Sequence, residues 1–123
     1  MAGAPILIVD DNVTNLKLVA YLLSAKGYEV STASDAASAL ISIEAHPPRL
    51  ILMDIQLPGI DGLTLTRKLK SEPHTQHIRI IALTAFAMKG DEERARSAGC
   101  DGYLSKPLDT RALPLIVAEH LAR

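Results

Sequence analysis

Four places in the chain carry side chains that could act jointly on an anionic group. Two adjacent carboxylates, Asp10 and Asp11, follow the aliphatic run "ILIV". A third, Asp54, follows "LILM", Thr84 ends "RIIAL", and Lys106 stands just before Pro107. Carboxylates gathered at ~5 Å would repel by a few kcal/mol per pair at an effective dielectric of ~20. A hard divalent cation relieves that repulsion. Mg²⁺ prefers oxygen ligands, takes few of them from protein and leaves room for phosphate and water. A carboxylate can also attack phosphorus to give an acyl phosphate. Metal, ammonium and hydroxyl would then meet the charge on the transferring phosphoryl group. Asp54 is the best nucleophile, because it stands alone before an open loop, and Asp10 and Asp11 are better cast as metal ligands.

Taken singly, each residue has a plainer reading. An acidic pair after a strand is commonly a solvated turn or a helix cap, and Asp54 alone could open the turn "LPGIDG". Thr84 has good β propensity, and Lys106 could be an ordinary surface lysine that Pro107 holds extended. The case rests on the elements that must position them together.

Short apolar runs alternate with longer amphipathic ones. "PILIVD", "YEVSTA", "RLILMD", "IRIIALT" and "GYLS" are of strand length and mostly aliphatic. Between them lie helical stretches. The first carries Leu16, Val19, Ala20 and Leu23 on one face and ends at Gly27. On that helix, Asn15, Leu18 and Leu22 form a separate stripe that the core does not need, a candidate docking face for a partner. The plain alternative is that both leucines are half-buried against the last helix. Asp35 and Asp61 are placed to cap the second and third helices. "KGDEERARSAG" reads as a charged helix stopped by Gly99, and a final helix is expected from about Asp109 onward, shifted or kinked by Pro114. Five strand–helix alternations predict an α/β domain over 1–123: a doubly wound, five-stranded parallel sheet with helices on both faces. In such a sheet the C-terminal strand ends share one edge, where ligands bind. That edge collects all five residues.

Composition excludes several other classes. The charge of −1 gives no field to attract nucleic acid or an anionic membrane, and four Phe/Tyr residues offer little for base stacking. The single cysteine, Cys100, cannot form an internal disulfide and fits a reducing compartment. No cysteine–histidine cluster suggests zinc, and Met53 and Met88 suit packing. No apolar run is long enough for a membrane span. A cytoplasmic domain is expected.

"VDDN", "LILMDIQLPGIDG", "ALTA" and "GYLSKP" resemble, in order and along essentially the whole chain, the receiver domain of two-component response regulators. The wording of the flanking segments is most similar to DivK-type single-domain regulators and the receivers of hybrid histidine kinases. The resemblance implies a flavodoxin-like sheet of order 2-1-3-4-5 and assigns Asp54 as phosphoacceptor. It implies Mg²⁺ on Asp10, Asp11, Asp54 and the backbone carbonyl of Gln56, phosphoryl contacts from Thr84 and Lys106, and Tyr103 as the switch aromatic. It further implies a histidine kinase or histidine phosphotransfer protein as donor. A downstream protein target would bind the surface of the fourth helix, fifth strand and fifth helix. On this reading the chain catalyses no turnover of a separate substrate, and it leaves no residues for a DNA-binding domain. Haloacid-dehalogenase chemistry would need an acid where Gln56 stands, and no strand leads into a G-x-G-x-x-G loop for a dinucleotide. A phosphorylation-independent pseudo-receiver is the remaining alternative, opposed by the intact Asp54, Thr84 and Lys106.

Overall fold

The computed structural model describes residues 3–57, 61–84, 90–106 and 108–122. The strands are β1 (Pro5–Val9), β2 (Glu29–Ala33), β3 (Leu50–Asp54), β4 (Arg79–Thr84) and β5 (Gly102–Ser105). They alternate with α1 (Val13–Ala25), α2 (Ala36–Ala45), α3 (Gly62–Ser71), α4 (Asp91–Ala98) and α5 (Leu113–Leu121). All strand pairs are parallel, as the aliphatic runs predict, in the order β2-β1-β3-β4-β5 that the resemblance implies.

The aliphatic runs are explained by burial on both faces. Ile6, Ile8, Leu50, Leu52, Ile81 and Leu83 point to a core shared with Leu16, Val19 and Leu23 of α1 and Leu113 and Val117 of α5. Leu7, Val9, Ile51, Met53, Ile80 and Ala82 point to the opposite core, under α2, α3 and α4. The strand period of two sends alternate residues to different layers, so every position must be apolar. At the edge, β2 has solvent on its open side and exposes Glu29, Ser31 and Thr32.

Helix starts follow local chemistry. Asn12, Asp35 and Asp61 have extended backbone, and their side chains accept the N–H of Asn15, Ser38 and Thr64 at 2.8–2.9 Å. Each such cap contributes about 1 kcal/mol. The last helix departs from expectation, beginning at Leu113 rather than near Asp109. Pro114 is the reason. It has no N–H to give the Thr110 carbonyl, so a regular ladder cannot run through that turn. Asp109 ties the turn instead, accepting the N–H of Arg111 at 2.9 Å and of Ala112 at 3.2 Å. Pro114 therefore lies in the first turn of α5, where its missing donor costs nothing. Among the described residues, no helix is long and apolar enough to cross a membrane.

Candidate functional site

The parallel sheet delivers the sequence-predicted residues to one edge. The chain leaves β1 at Asp10, whose N–H still pairs with the Ala33 carbonyl at 3.0 Å. Asp54 is the last residue of β3, the central strand, and Thr84 is the last of β4. Lys106 follows β5 directly, and its N–H donates to the Thr84 carbonyl at 2.7 Å. Asp10, Asp54 and Thr84 are buried, whereas Asp11 is exposed.

One ammonium serves two buried acids. Lys106 Nζ lies 2.8 Å from Asp10 Oδ2 and 3.2 Å from Asp54 Oδ2. Burial would lower the lysine's affinity for its proton, but the two carboxylates outweigh it and push the Lys106 pKa up. The acids themselves diverge. Burial disfavours ionised Asp10, yet Lys106, the Asn12 N–H and the Asn15 amide together hold its carboxyl below the usual range. Burial also disfavours ionised Asp54, and there it wins. The Gln56 N–H and Lys106 favour the anion, Asp10 repels it, and the carboxyl is pushed up. The difference follows the donors present. Asp10 accepts from Asn12 N–H at 2.9 Å, Asn15 Nδ2 at 2.6 Å and Lys106, while Asp54 has Gln56 N–H at 2.8 Å and Lys106.

Asp10, Asp11 and Asp54 each present a carboxylate oxygen, all within 4.8 Å of one another. Three ionised carboxylates against one ammonium leave two negative charges uncompensated, the charge of one divalent cation. The donors are all hard oxygens, and exposed Asp11 leaves one side open to solvent. This set fits Mg²⁺. The backbone of Gln56 adjoins it through the bond from its N–H to Asp54, and its side chain is exposed.

Tyr103 is only half-buried on β5, opposite Ala82 of β4, and packs against the core beneath α3 and α4. It lines a cavity of about 390 Å³ with Glu92, Leu104, Leu108 and Ile116. Burial, followed by the negative charges of Asp91 and Glu92, pushes its hydroxyl pKa up. Met88, expected to pack, and Pro107, expected to hold Lys106 extended, both lie outside the described residues.

Two expectations for α1 change. Asn15 does not belong to an outward stripe, because its amide turns back to Asp10. The available signal was its position three residues after the cap Asn12, which places it over the preceding turn. Leu22 is half-buried and lines a groove of about 640 Å³ with Tyr28, Pro114 and Leu115, beside the last helix as its plainer reading has it rather than on an open face. Leu18 remains 48% exposed, enough to be available to a partner.

Comparison with known proteins agrees with this geometry. The response regulator receiver domain family matches residues 6–118. The polar-differentiation response regulators DivK of Brucella anthropi and Brucella ovis are each 50% identical over 103 residues, 84% of this chain and 84% of theirs. A CheY-like receiver domain protein from Methanospirillum hungatei superposes with a TM-score of 0.90 at 32% identity, over 98% of this chain and 95% of its own. The receiver domain of a sensor histidine kinase from Pseudomonas aeruginosa gives 0.89 at 36% identity, over 99% and 100%. That structure has a magnesium ion coordinated in its active-site cleft. With a family match over most of its length and this fold, the chain belongs to the response regulator receiver domains of two-component signalling.

Proposed function

We propose that Asp54 accepts a phosphoryl group from a phosphohistidine and that the domain thereby changes its affinity for a protein target. The observation that carries this reading is the Lys106 ammonium, held between Asp10 and Asp54 at the open sheet edge. An Asp54 oxygen attacks phosphorus, the O–P bond forms as the N–P bond breaks, and the electron pair returns to the departing imidazole nitrogen. Asp54 has fewer donors than Asp10, which leaves lone pairs for the attack. Lys106 offers its charge to the phosphoryl oxygens as they arrive, and the Thr84 hydroxyl stands at the adjoining strand end. Asp10, Asp11, Asp54 and the Gln56 carbonyl would hold Mg²⁺, which when bound supplies positive charge to the transferring group. The domain is consumed and regenerated as its own substrate, so it is a switch rather than a turnover enzyme.

The donor is a histidine kinase or histidine phosphotransfer protein, and it must approach over the edge flanked by the Asp10–Asp11 turn and α1. Exposed Leu18 lies on that approach. The target would read the α4–β5–α5 surface, where Tyr103 and its cavity provide a side chain with room to move. We place the reaction in the cytoplasm. The test is incubation with acetyl phosphate and Mg²⁺ followed by mass measurement. Wild-type protein should gain one acid-labile phosphoryl group, and Asp54→Asn should gain none. Full incorporation into Asp54→Asn would falsify the assignment, and a wild type that takes no phosphate would favour the pseudo-receiver.

A further inference from the structure

The first turn of α3 meets the backbone of the Asp54 segment at a distance that only glycine permits. A Cβ added to Gly62 would overlap the Asp54 carbonyl oxygen and stand 2.8 Å from Ile55 Cα and 2.9 Å from Asp54 C. These are main-chain atoms, so no rotamer change relieves the contact. Conformation does not demand glycine here, because Gly62 is absent from the glycines with positive φ. Close approach alone demands it.

Bonds on both sides of Gly62 fix the approach. Its N–H donates to the Ile55 carbonyl at 3.3 Å, closing the loop that leaves β3. Its carbonyl accepts the hydroxyl of Thr66 at 2.8 Å, and Thr66 is fully buried. The Asp61 cap secures the same turn through Thr64 N–H. On the site side, Asp54 Oδ1 accepts the Gln56 N–H at 2.8 Å. A displacement of the backbone at Asp54–Ile55 therefore reaches both the Asp54 carboxylate and the Gln56 peptide.

We propose that Gly62 is a positioning residue for phosphoryl transfer: its bare Cα lets α3 seat the Asp54–Gln56 backbone where carboxylate and metal-site peptide are correctly aimed. The inference rests on the phosphoacceptor reading of Asp54. The role is distinct from support of the fold, since the surrounding core is built by Leu63, Leu65 and Leu69 rather than by the glycine.

The test compares Gly62→Ala, Thr66→Val and Leu65→Ala with wild type. Leu65 is buried on the same helix, so its truncation controls for lost stability. The readouts are Mg²⁺ affinity from amide shifts of residues 10–12 and 54–56, the maximal rate of phosphorylation by acetyl phosphate, and urea unfolding. Gly62→Ala should weaken Mg²⁺ binding and slow phosphorylation by about tenfold or more each, the usual cost of disturbing support behind a site. Thr66→Val, which adds no atom at the contact but removes the hydroxyl bond to the Gly62 carbonyl, should lower both by about threefold, a fraction of that cost. Leu65→Ala should leave both within about twofold even where its unfolding midpoint falls further. Unchanged affinity and rate in Gly62→Ala, or equal losses in Leu65→Ala, overturn the proposal. Should Gly62→Ala fail to fold, an unaltered Thr66→Val overturns it. A wild type that binds neither Mg²⁺ nor phosphate defeats the parent reading instead.

Discussion

Removing the shared ammonium should expose the electrostatic strain it relieves. Lys106→Met keeps most of the apolar stem and deletes the charge that lies 2.8 Å from Asp10 and 3.2 Å from Asp54. At an effective dielectric of ~20, the direct attraction is about 5–6 kcal/mol per pair. Desolvation of the three groups offsets much of this, and truncating one partner of a buried pair costs about 3–5 kcal/mol. The Lys106 side chain is 18% exposed, which favours the lower end, about 3 kcal/mol. In urea unfolding without Mg²⁺ at pH ~7.5, that is a midpoint loss of about 2 M at a slope of ~1.5 kcal/mol/M. The loss should depend on pH with a definite sign. Burial and Asp10 already push the Asp54 carboxyl up, and deleting Lys106 removes an opposing influence. A carboxyl raised above its unfolded value of ~3.9 contributes stability that is full below that value and lost as pH rises through the folded one. The gap between wild type and Lys106→Met should therefore narrow from pH ~7.5 to pH ~5, as one acid takes up a proton. Adding Asp54→Asn should recover about half of the loss, since one buried charge then stands alone with its donors. A gap under ~1 kcal/mol, or one equal at both pH values, would refute the argument that two buried carboxylates depend on this lysine.

Other changes test separate parts of the molecule. Asp101 accepts Lys70 Nζ at 2.9 Å and Ile80 N–H at 2.8 Å, and despite burial these hold its carboxyl below the usual range. Asp101→Asn should cost about 2 kcal/mol at neutral pH, and wild type should lose the same contribution as pH falls from ~3.9 through the lowered folded value; parallel acid-unfolding curves would refute it. Thr84→Ala should still take phosphate but lose the response at Tyr103, monitored by NMR; Phe86, a second reporter, lies outside the described residues. Equal shifts in both proteins would sever that coupling. Leu18→Ala should leave acetyl phosphate reactivity unchanged while transfer from a cognate histidine protein slows about tenfold, a loss of ~1.4 kcal/mol. Leu22→Ala should instead lower stability by about 1–2 kcal/mol. Equal transfer rates in folded Leu18→Ala would move the docking site elsewhere.

What the sequence made legible was what has a local or topological cause. The inner strands could be read because burial on both faces leaves them aliphatic throughout. The caps Asp35 and Asp61 could be read because an N-cap has its own chemistry, whereas the cap Asn12 stood behind the acidic pair that drew the site reading. The site followed from topology, which sends Asp10, Asp54, Thr84 and Lys106 to one edge whatever their individual propensities. The start of α5 differs from the sequence expectation because Asp109 resembles a cap and Pro114 a kink. Their order was decisive: a proline five residues after the acid cannot donate to the Thr110 carbonyl, so it takes its place in the first turn instead. Asn15 reaches back five residues to Asp10, and Gly62 depends on a contact between elements. For Asn15 the signal was its place after the cap, which the stripe with Leu18 and Leu22 obscured. A glycine in "IDG" looks like a turn residue until the Asp54 carbonyl is found against it.

The divergent acids also suggest how a local charge change would leave the site. Asp10 is committed, with both oxygens occupied by Asn12, Asn15 and Lys106, and its carboxyl lies low. Asp54 has fewer donors and burial pushes its carboxyl up, the asymmetry that the proposed phosphoacceptor role of Asp54 would use. A phosphoryl group on Asp54 would replace one negative charge by nearly two, and place them farther from the strand end. The ammonium of Lys106, now shared, would be drawn toward the larger charge. Its backbone N–H is bonded to the Thr84 carbonyl at 2.7 Å, so a shift of the Lys106 backbone that followed the ammonium would act on the end of β4. The next strand carries Tyr103, paired in register with Ala82 two residues before Thr84. On the proposed phosphoacceptor role of Asp54, a path to the α4–β5–α5 face would need no long relay. One shared cation and the backbone hydrogen bond from Lys106 to Thr84 would carry it.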